Sequence, residues 1–303
     1  MTTGAATREL WPPLPLEEWR DTCATLHMWT QIVGKTRLAL APWQNHWWHV
    51  TLHVTARGLA TGPMPYGTRT LDAEFDFVEH QLVLRTGEGA AQQIPLVPRS
   101  VAEFYRSYLA ALAALDVQVK LWPMPVEVEH PIRFPDDREH ASYDRAFANR
   151  FWRILVQADD LLKRFRGRFL GKASPAHFFW GSFDIAATRF SGRRAPERPG
   201  ADRITQEAYS HEVISAGFWP GSGTVQEPAF YAYAAPEPAG LRDVTASPGD
   251  AYYHPPMSLF ILPYAAIRTA ASPGDAVLAF LQSTYEAAAD LAHWDRASLE
   301  RPA

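Results

Sequence analysis

The chain has 303 residues, of which 47% are hydrophobic and 20% are charged, a composition typical of a folded globular protein. Its formal net charge is −4, so the basic surface expected of a nucleic-acid-binding protein is absent and nucleic acid is not a predicted partner. Cys23 is the only cysteine, which excludes an intrachain disulfide and a multi-cysteine metal site.

The N-terminal residues 1–15 lack the continuous apolar stretch of a signal peptide. No apolar run approaches the ~18–20 residues that a membrane helix requires. Together with the single cysteine, these features predict a cytoplasmic protein that does not bind membranes.

The first half of the chain predicts helices on either side of extended segments. Apolar spacing and terminal signals set the helix bounds, and alternation of apolar and polar residues sets the strands. In chain order we expect a helix over about 16–33 that ends at Gly34, an extended segment over 46–56, a hairpin formed by 71–78 and 81–86, and a helix over about 100–115.

The second half follows a similar order. A proline- and charge-rich stretch from Pro123 to Asp144 indicates a connector between the halves. After it we expect a helix over about 151–170 that stops at Gly171, an extended segment over 177–190, and a C-terminal helix over about 275–291.

The two halves also match in residue class. Residues 46–54 align with 177–185 without a gap, and both preceding helices are followed by Gly-Lys. The sequence therefore predicts an α+β fold of two diverged copies of a helix, antiparallel-sheet and helix unit, packed about a pseudo-twofold. The predicted parts are an N-terminal arm (1–15), a first repeat (16–122), a connector (123–146), a second repeat (147–296) and a tail (297–303). The alternative is chance, because helical period alone generates matches.

Five segments carry a family resemblance: residues 25–35, 45–49, 182–184, 188–193 and 209–221. Together they resemble an uncharacterised bacterial domain-of-unknown-function family whose members have about this length. The resemblance covers nearly the whole chain and implies a bacterial intracellular protein. It implies no catalytic residue, cofactor or substrate.

Known catalytic and cofactor motifs are missing or incomplete. Gly34-Lys35-Thr36 invites a phosphate-binding-loop interpretation, but Trp29 stands where that motif needs glycine. No dinucleotide-binding signature is complete, so no nucleotide cofactor is predicted. Ser210 and His211 cannot pair as nucleophile and base if both lie on a strand, because adjacent side chains point to opposite faces.

The candidate catalytic residues come from the two-copy alignment. His53 aligns with Asp184, and a pseudo-twofold would bring them together as an acid–base pair. His27 joins them from the first helix, where it belongs to an i, i+4 polar stripe with Gln31 and Lys35. This stripe either lines a pocket or faces water.

The same symmetry would place His46 and His177 in one cleft, with His211 and Glu212 as further ligands. Imidazoles with a carboxylate suit a transition metal, which is the one cofactor the sequence suggests. The alternative is that these histidines are half-buried and hydrogen-bonded.

Residues 189–198 carry four arginines with one glycine and one proline. Arginine binds carboxylates and phosphates with two parallel hydrogen bonds, so this stretch predicts an anion-binding loop, unless it serves solubility alone. The predicted ligand-binding residues are Lys35, Gln31, Arg189, Arg193 and Trp180.

These features favour an enzyme that acts on a small anionic metabolite in a histidine- and arginine-lined cleft between the repeats. The alternative is a non-catalytic small-molecule-binding or regulatory protein that uses the same cleft. In either case the predicted partner is a small molecule, and the sequence predicts no oligomeric state.

Overall fold

The computed structural model describes residues 10–302 as an α+β fold with two antiparallel sheets. Residues 1–9 of the predicted arm and residue 303 of the predicted tail lie outside the described residues. The helices are α1 (Leu16–Leu40), α2 (Val101–Ala114), α3 (Arg145–Gly167), α4 (Arg203–Ala208), α5 (Tyr264–Thr269), α6 (Pro273–Leu291) and α7 (Arg296–Leu299). None of these helices is long and apolar enough to cross a membrane.

The strands divide between the two halves of the chain. The first sheet contains β1 (His53–Val54), β2 (Gly58–Ala60), β3 (Met64–Tyr66), β4 (Arg69–Asp76), β5 (Gln81–Thr86) and β6 (Ala91–Pro95). The second contains β7 (His177–Phe179), β8 (Asp184–Arg194), β9 (His211–Trp219), β10 (Ala229–Ala235), β11 (Tyr252–His254) and β12 (Leu259–Pro263). Their orders are β1-β2-β4-β5-β6, with β3 paired to β4, and β11-β12-β10-β9-β8-β7. Leu52 and Phe178 join the two halves by reciprocal backbone hydrogen bonds of 2.9 Å.

Two elements of the first half match their predictions closely. Strands β4 and β5 form the expected hairpin, with Asp76 paired to Gln81 beside the turn. Helix α2 begins after Ser100, whose side chain accepts from the Glu103 amide while the Glu103 carboxylate accepts from the Ser100 amide. This reciprocal capping satisfies two amides that would otherwise lack a partner.

The predicted end of the first helix at Gly34 is wrong, because α1 continues through Gly34 to Leu40. Gly34 is there for close packing: a Cβ at this position would overlap the indole ring of Trp180. The glycine therefore brings the second half of the chain against the first helix. Helix α3 ends at Gly167, before the predicted stop at Gly171, which lies outside the helix, so the two Gly-Lys pairs occupy different environments.

The extended segment predicted over 46–56 is found only near its end, where His53–Val54 form β1. Residues Asn45–Val50 form 3-10 turns in which His46 and Trp47 have left-handed φ values of 57° and 61°. The aligned residues of the second half instead form strand β7 and the turn into β8. The gapless match between 46–54 and 177–185 thus does not correspond to a shared local conformation, and the predicted pseudo-twofold unit is not confirmed.

The second sheet has two unlike faces, because alternate residues of a strand point to opposite sides. One face packs on α3 and α6 through buried side chains such as Ile185, Ile214, Phe218 and Phe230. Burying each large apolar side chain of this kind stabilises the fold by about 1.5–3 kcal/mol. The other face is covered only by short segments, and it holds the cavity described next.

Candidate functional site

A pocket of about 830 Å³ lies on the second face of the second sheet. Its floor comes from β8, β9 and β10, whose cross-strand pairs include Thr188 with Ser215 and Ser215 with Tyr233. Its cover comes from residues 46–50, residues 126–127 and helix α4 with the residues after it. The volume is in the range of sites that bind small organic molecules.

The pocket is rich in aromatic side chains. Tryptophan, tyrosine and phenylalanine reach it from both the floor and the cover, so the walls offer flat apolar surfaces beside a few polar atoms. The aromatic lining residues are Trp47, Trp48, Phe179, Trp180, Phe190, Tyr209, Trp219, Tyr231 and Tyr233.

Asp184 is the buried acid in the floor. Its carboxylate accepts hydrogen bonds from Ser182 Oγ at 2.5 Å and from the Tyr231 hydroxyl. Burial raises the pKa of Asp184 to about 6, although both hydrogen bonds oppose that shift. The side chain is therefore poised to change charge close to neutral pH.

Gly217 allows Tyr231 to reach Asp184. It lies on β9, between Tyr231 on β10 and Ala186 on β8. A Cβ at Gly217 would lie 2.7 Å from the Tyr231 hydroxyl and would overlap the Ile185 carbonyl. The missing side chain thus leaves room for the tyrosine to cross one strand and hydrogen-bond to an acid on the next.

Glu127 is the second acid of the pocket, and it comes from the cover. Within residues 10–302 its carboxylate has no hydrogen-bond or ion-pair partner, and it is solvent-exposed. The surrounding protein removes part of the water around the carboxylate, and this desolvation raises the pKa of Glu127. Repulsion from Asp184 and Asp202 raises it further. Its backbone is left-handed, with φ of 56°, and a side chain at Gly181 would overlap its carboxylate.

Two residues of the predicted α1 stripe hold this wall from behind. Gln31 is fully buried, and its amide both donates to the Val126 carbonyl and accepts from the Val126 amide, each at 2.8 Å. His27 Nε2–H donates to the Gly181 carbonyl at 2.8 Å, while burial lowers the pKa of His27 to about 4, so the ring is neutral. The stripe neither faces water nor lines the pocket.

Lys35, the third stripe residue, is 4% exposed and lies behind Trp180. Its Nζ is 5.6 Å from the Trp180 ring centre and 6.0 Å from that of Phe134. Burial lowers the pKa of Lys35 to about 8. Trp180 itself lines the pocket and donates from Nε1 to the Val50 carbonyl at 2.6 Å, which ties the cover to the wall.

His46 lines the pocket and connects parts of its cover. Lys172 Nζ donates to His46 Nε2 at 2.6 Å, and His46 Nδ1 donates to the Glu207 carbonyl at 3.1 Å. Burial, and then the Lys172 charge, lower the pKa of His46. The ammonium of Lys172 also lies over the rings of Trp48 and Phe190, at 5.6 and 4.8 Å from their centres.

Strained backbone concentrates at this pocket. Eight described residues other than glycine have positive φ. Four of them line the pocket: His46, Trp47, Glu127 and Ser258. Such conformations cost about 1–3 kcal/mol each and are typical of functional sites, where they fix side-chain positions that ordinary backbone would not allow.

The predicted pairing of His53 with Asp184 is not formed. Both carboxylate oxygens of Asp184 are bonded to other side chains, whereas the His53 ring lies 5.5 Å from that of His177. Burial lowers the pKa of His53 to about 4 and that of His177 to about 3, so both rings are neutral. Neither lines the pocket.

The predicted metal ligands do not converge either. His46 and His211 have rings 5.8 Å apart, but His177 lies against His53, and Glu212 pairs with Arg193 at 2.7 Å. Within residues 10–302 no group of three histidine, cysteine, aspartate or glutamate side chains could hold a metal ion. A transition-metal cofactor remains a prediction from the sequence alone.

The two arginines predicted to bind an anion serve the opposite face of the sheet. Arg189 is 2% exposed; its guanidinium lies 3.5 Å from the Phe165 ring centre and donates to the Phe165 carbonyl. Arg193 donates to the carbonyls of Ala292 and His293, which end helix α6. Such bonds satisfy carbonyls left free at a helix end.

Ser210 and His211 do not both lie on a strand. Ser210 lies in the turn after α4 and not on a strand, and its Oγ is 3.0 Å from His211 Nδ1. The hydroxyl donates its one proton to the Glu207 carbonyl at 2.8 Å, so it acts as the acceptor toward His211 Nδ1, and neither residue lines the pocket. Gly34-Lys35-Thr36 lies inside helix α1, which agrees with rejecting a phosphate-binding loop.

Of the predicted site residues, Asp184, Trp180 and His46 line the pocket, and His27 and Gln31 support it. Sequence reasoning did not select Glu127, Ser182 or Tyr231. The one available signal was the alternation of Tyr231 and Tyr233, which does put both on one face. Nothing local to Glu127 indicates its left-handed backbone.

Comparison with known proteins identifies the family and nothing further. A family described as a family of unknown function (DUF5996) matches residues 11–301. No curated protein and no solved structure matches the chain.

Proposed function

We propose a function from the pocket alone, because the chain belongs to DUF5996, a family whose function is unknown. The proposal is that the protein binds a small organic molecule with a flat, partly apolar body in the pocket on the second sheet. One observation carries it: a cavity of about 830 Å³ walled by aromatic rings and containing two carboxyl groups.

The rigidity of the site supports a binding role. Its floor is a hydrogen-bonded sheet, and its wall is fixed from α1 by the side-chain bonds of Gln31 and His27. A pocket formed before the ligand arrives loses less conformational entropy on binding, which favours affinity. The strained residues of the cover point the same way, since strain persists where a defined position is required.

An anionic ligand, expected from the sequence, is not what this lining favours. Among the described residues, Arg198 is the only arginine or lysine that lines the pocket, where it stacks on Tyr209 at 4.3 Å. The proposal needs no internal duplication either, because the pocket forms where segments of the first half cover the second sheet. That the halves are copies of one unit is a separate hypothesis.

An enzymatic role for the same pocket is the second candidate. It is favoured by Asp184, whose pKa of about 6 is near the value at which a carboxyl group can both accept and release a proton at neutral pH. Turnover of a bound compound, lost in Asp184→Asn with binding retained, would establish it. Binding without turnover supports the first candidate.

The binding proposal is tested by thermal-shift screening of flat organic compounds against three proteins. Ala208 lines the pocket from α4, so Ala208→Trp should fill the opening. Gln206 is exposed on the same helix and does not line the pocket, so Gln206→Trp is the matched control. We expect compounds that stabilise the wild type and Gln206→Trp but not Ala208→Trp. Hits that stabilise all three proteins equally would place binding elsewhere and refute the proposal.

A further inference from the structure

The pocket holds two acids and no base that pairs with them. Asp184 is bonded to two hydroxyl groups, and Glu127 has no partner within the described residues. The charges that act on Glu127 are those of Asp184 and Asp202, both of which raise its pKa, and no cation offsets the burial of Asp184. Two carboxylates that share a partly enclosed space repel each other until a positive charge enters.

Two cations close to the pocket are already engaged. Lys172 donates to His46 beside Trp48 and Phe190, and Arg198 stacks on Tyr209 at the opening. Neither forms an ion pair with a pocket carboxylate. His46, the histidine in the lining, has a lowered pKa and is neutral. Among the described residues, no cation contributes to the pKa shift of either pocket carboxyl group.

The walls of the pocket also favour a positively charged ligand. Trp180, Trp219, Tyr209 and Tyr233 line the space around the two acids. Aromatic faces carry negative potential and attract ammonium groups, and aromatic walls with carboxylates are a recurrent way to bind organic cations. The contacts of Lys172 with Trp48 and Phe190 show that rings of this pocket accept an ammonium group.

We infer that the pocket binds an organic cation, a protonated amine on a flat apolar body, with the ammonium group between Glu127 and Asp184. This inference rests on the proposed function and specifies its ligand class. The amine donates hydrogen bonds to the two carboxylates, which stay ionised as they bind it, and the flat body lies against the tryptophan and tyrosine rings.

The test uses three probes that share an indole ring and differ in charge: tryptamine, indole-3-ethanol and indole-3-acetate. Calorimetry on the full chain measures each affinity in the wild type, in Glu127→Gln and in Glu129→Gln. Glu129 is exposed, two residues away and outside the pocket lining, so it is the matched control. We expect tryptamine to bind at least about tenfold more tightly than the neutral probe, and the anion to bind most weakly.

Glu127→Gln should weaken tryptamine at least about tenfold and the neutral probe less than about threefold, with Glu129→Gln unchanged. At pH 6, tryptamine binding should also release protons from the carboxyl groups, so the measured heat depends on the buffer. Equal affinities for the three probes, abolished by Ala208→Trp, would overturn the cation inference and keep the pocket as a binding site. No binding of any probe at about 10 mM would overturn both.

Discussion

Strand β8 buries a charged residue on each of its faces, and the two are used differently. Arg189, on the helix-packed face, is enclosed by the rings of Phe165 and Tyr285 and bonded to a carbonyl. Asp184, on the other face, has two hydroxyl partners and a cavity beside it. Burial of a charge does not by itself indicate function. The open space next to the charge distinguishes a site from a packing device.

The largest effect is expected on the packed face. Arg189→Ala removes a side chain that fills the space between two rings, so it should lower the free energy of unfolding by about 4 kcal/mol. Arg189→Met keeps most of the volume without the charge and should lose only about 1 kcal/mol. Urea unfolding of both variants measures this. If Arg189→Met lowers the free energy of unfolding as much as Arg189→Ala does, the charge and not the packing of Arg189 stabilises this face.

On the pocket face, the contribution of Asp184 to stability should instead depend on pH. The folded-state pKa of Asp184 is about 6 against an ordinary 3.8, so its protonated form stabilises the fold. That stability is fully present below about pH 4 and is lost as pH rises through 6. From ~1.4 kcal/mol per pKa unit, the loss totals about 3 kcal/mol. The free energy of unfolding should be measured at several pH values. As the pH rises from about 4 to above 6, Asp184→Asn should become more stable relative to the wild type by this amount. A constant difference between the two proteins would contradict it.

Substitution of Gly217 tests whether the pocket face depends on close backbone packing. Gly217→Ala forces a Cβ against the Ile185 carbonyl and the Tyr231 hydroxyl, so we expect a loss of about 2 kcal/mol in stability and weaker binding of tryptamine. Gly249 has open space around it, and Gly249→Ala should leave both properties nearly unchanged. Full retention of tryptamine affinity in Gly217→Ala would show that the bond from Tyr231 to Asp184 is not needed for the site.

The smallest change in stability is expected behind the wall. Gln31→Ala removes the two hydrogen bonds that this fully buried side chain makes to the Val126 backbone. We expect a loss of about 1 kcal/mol in stability and about threefold in tryptamine affinity, since Glu127 is held less firmly. Gln118, exposed on the surface, provides the control as Gln118→Ala. If the two variants bind tryptamine equally, Gln31 has only a structural role.

Local signals in the sequence were enough for part of the fold. Apolar spacing predicted α2 from about residue 100, where the structure has the capping pair of Ser100 and Glu103, and alternation predicted the β4–β5 hairpin. Gly34 was wrongly predicted to end a helix, because its actual role is contact with Trp180, a residue far along the chain. A glycine that ends a helix and one that permits close packing look the same in sequence.

The candidate site was predicted less completely for a related reason. Asp184 was selected from the alignment of the halves and Trp180 as a ligand-binding residue, and both do line the pocket. Their partners were not found, because Glu127 depends on a left-handed backbone and Tyr231 on a gap left by Gly217. Both are properties of three-dimensional packing, which residue spacing along the chain does not express.

The wall held from α1 also has a consequence for folding. The Val126 backbone, next to Glu127, is fixed by Gln31, and the Gly181 backbone is fixed by His27, so the pocket requires contacts between three segments distant in sequence. Contacts of this kind carry a large loop-closure cost and form after local hairpins and helices. We therefore expect the pocket to be completed late in folding and to be lost first on partial unfolding, while the β4–β5 hairpin and α2 persist.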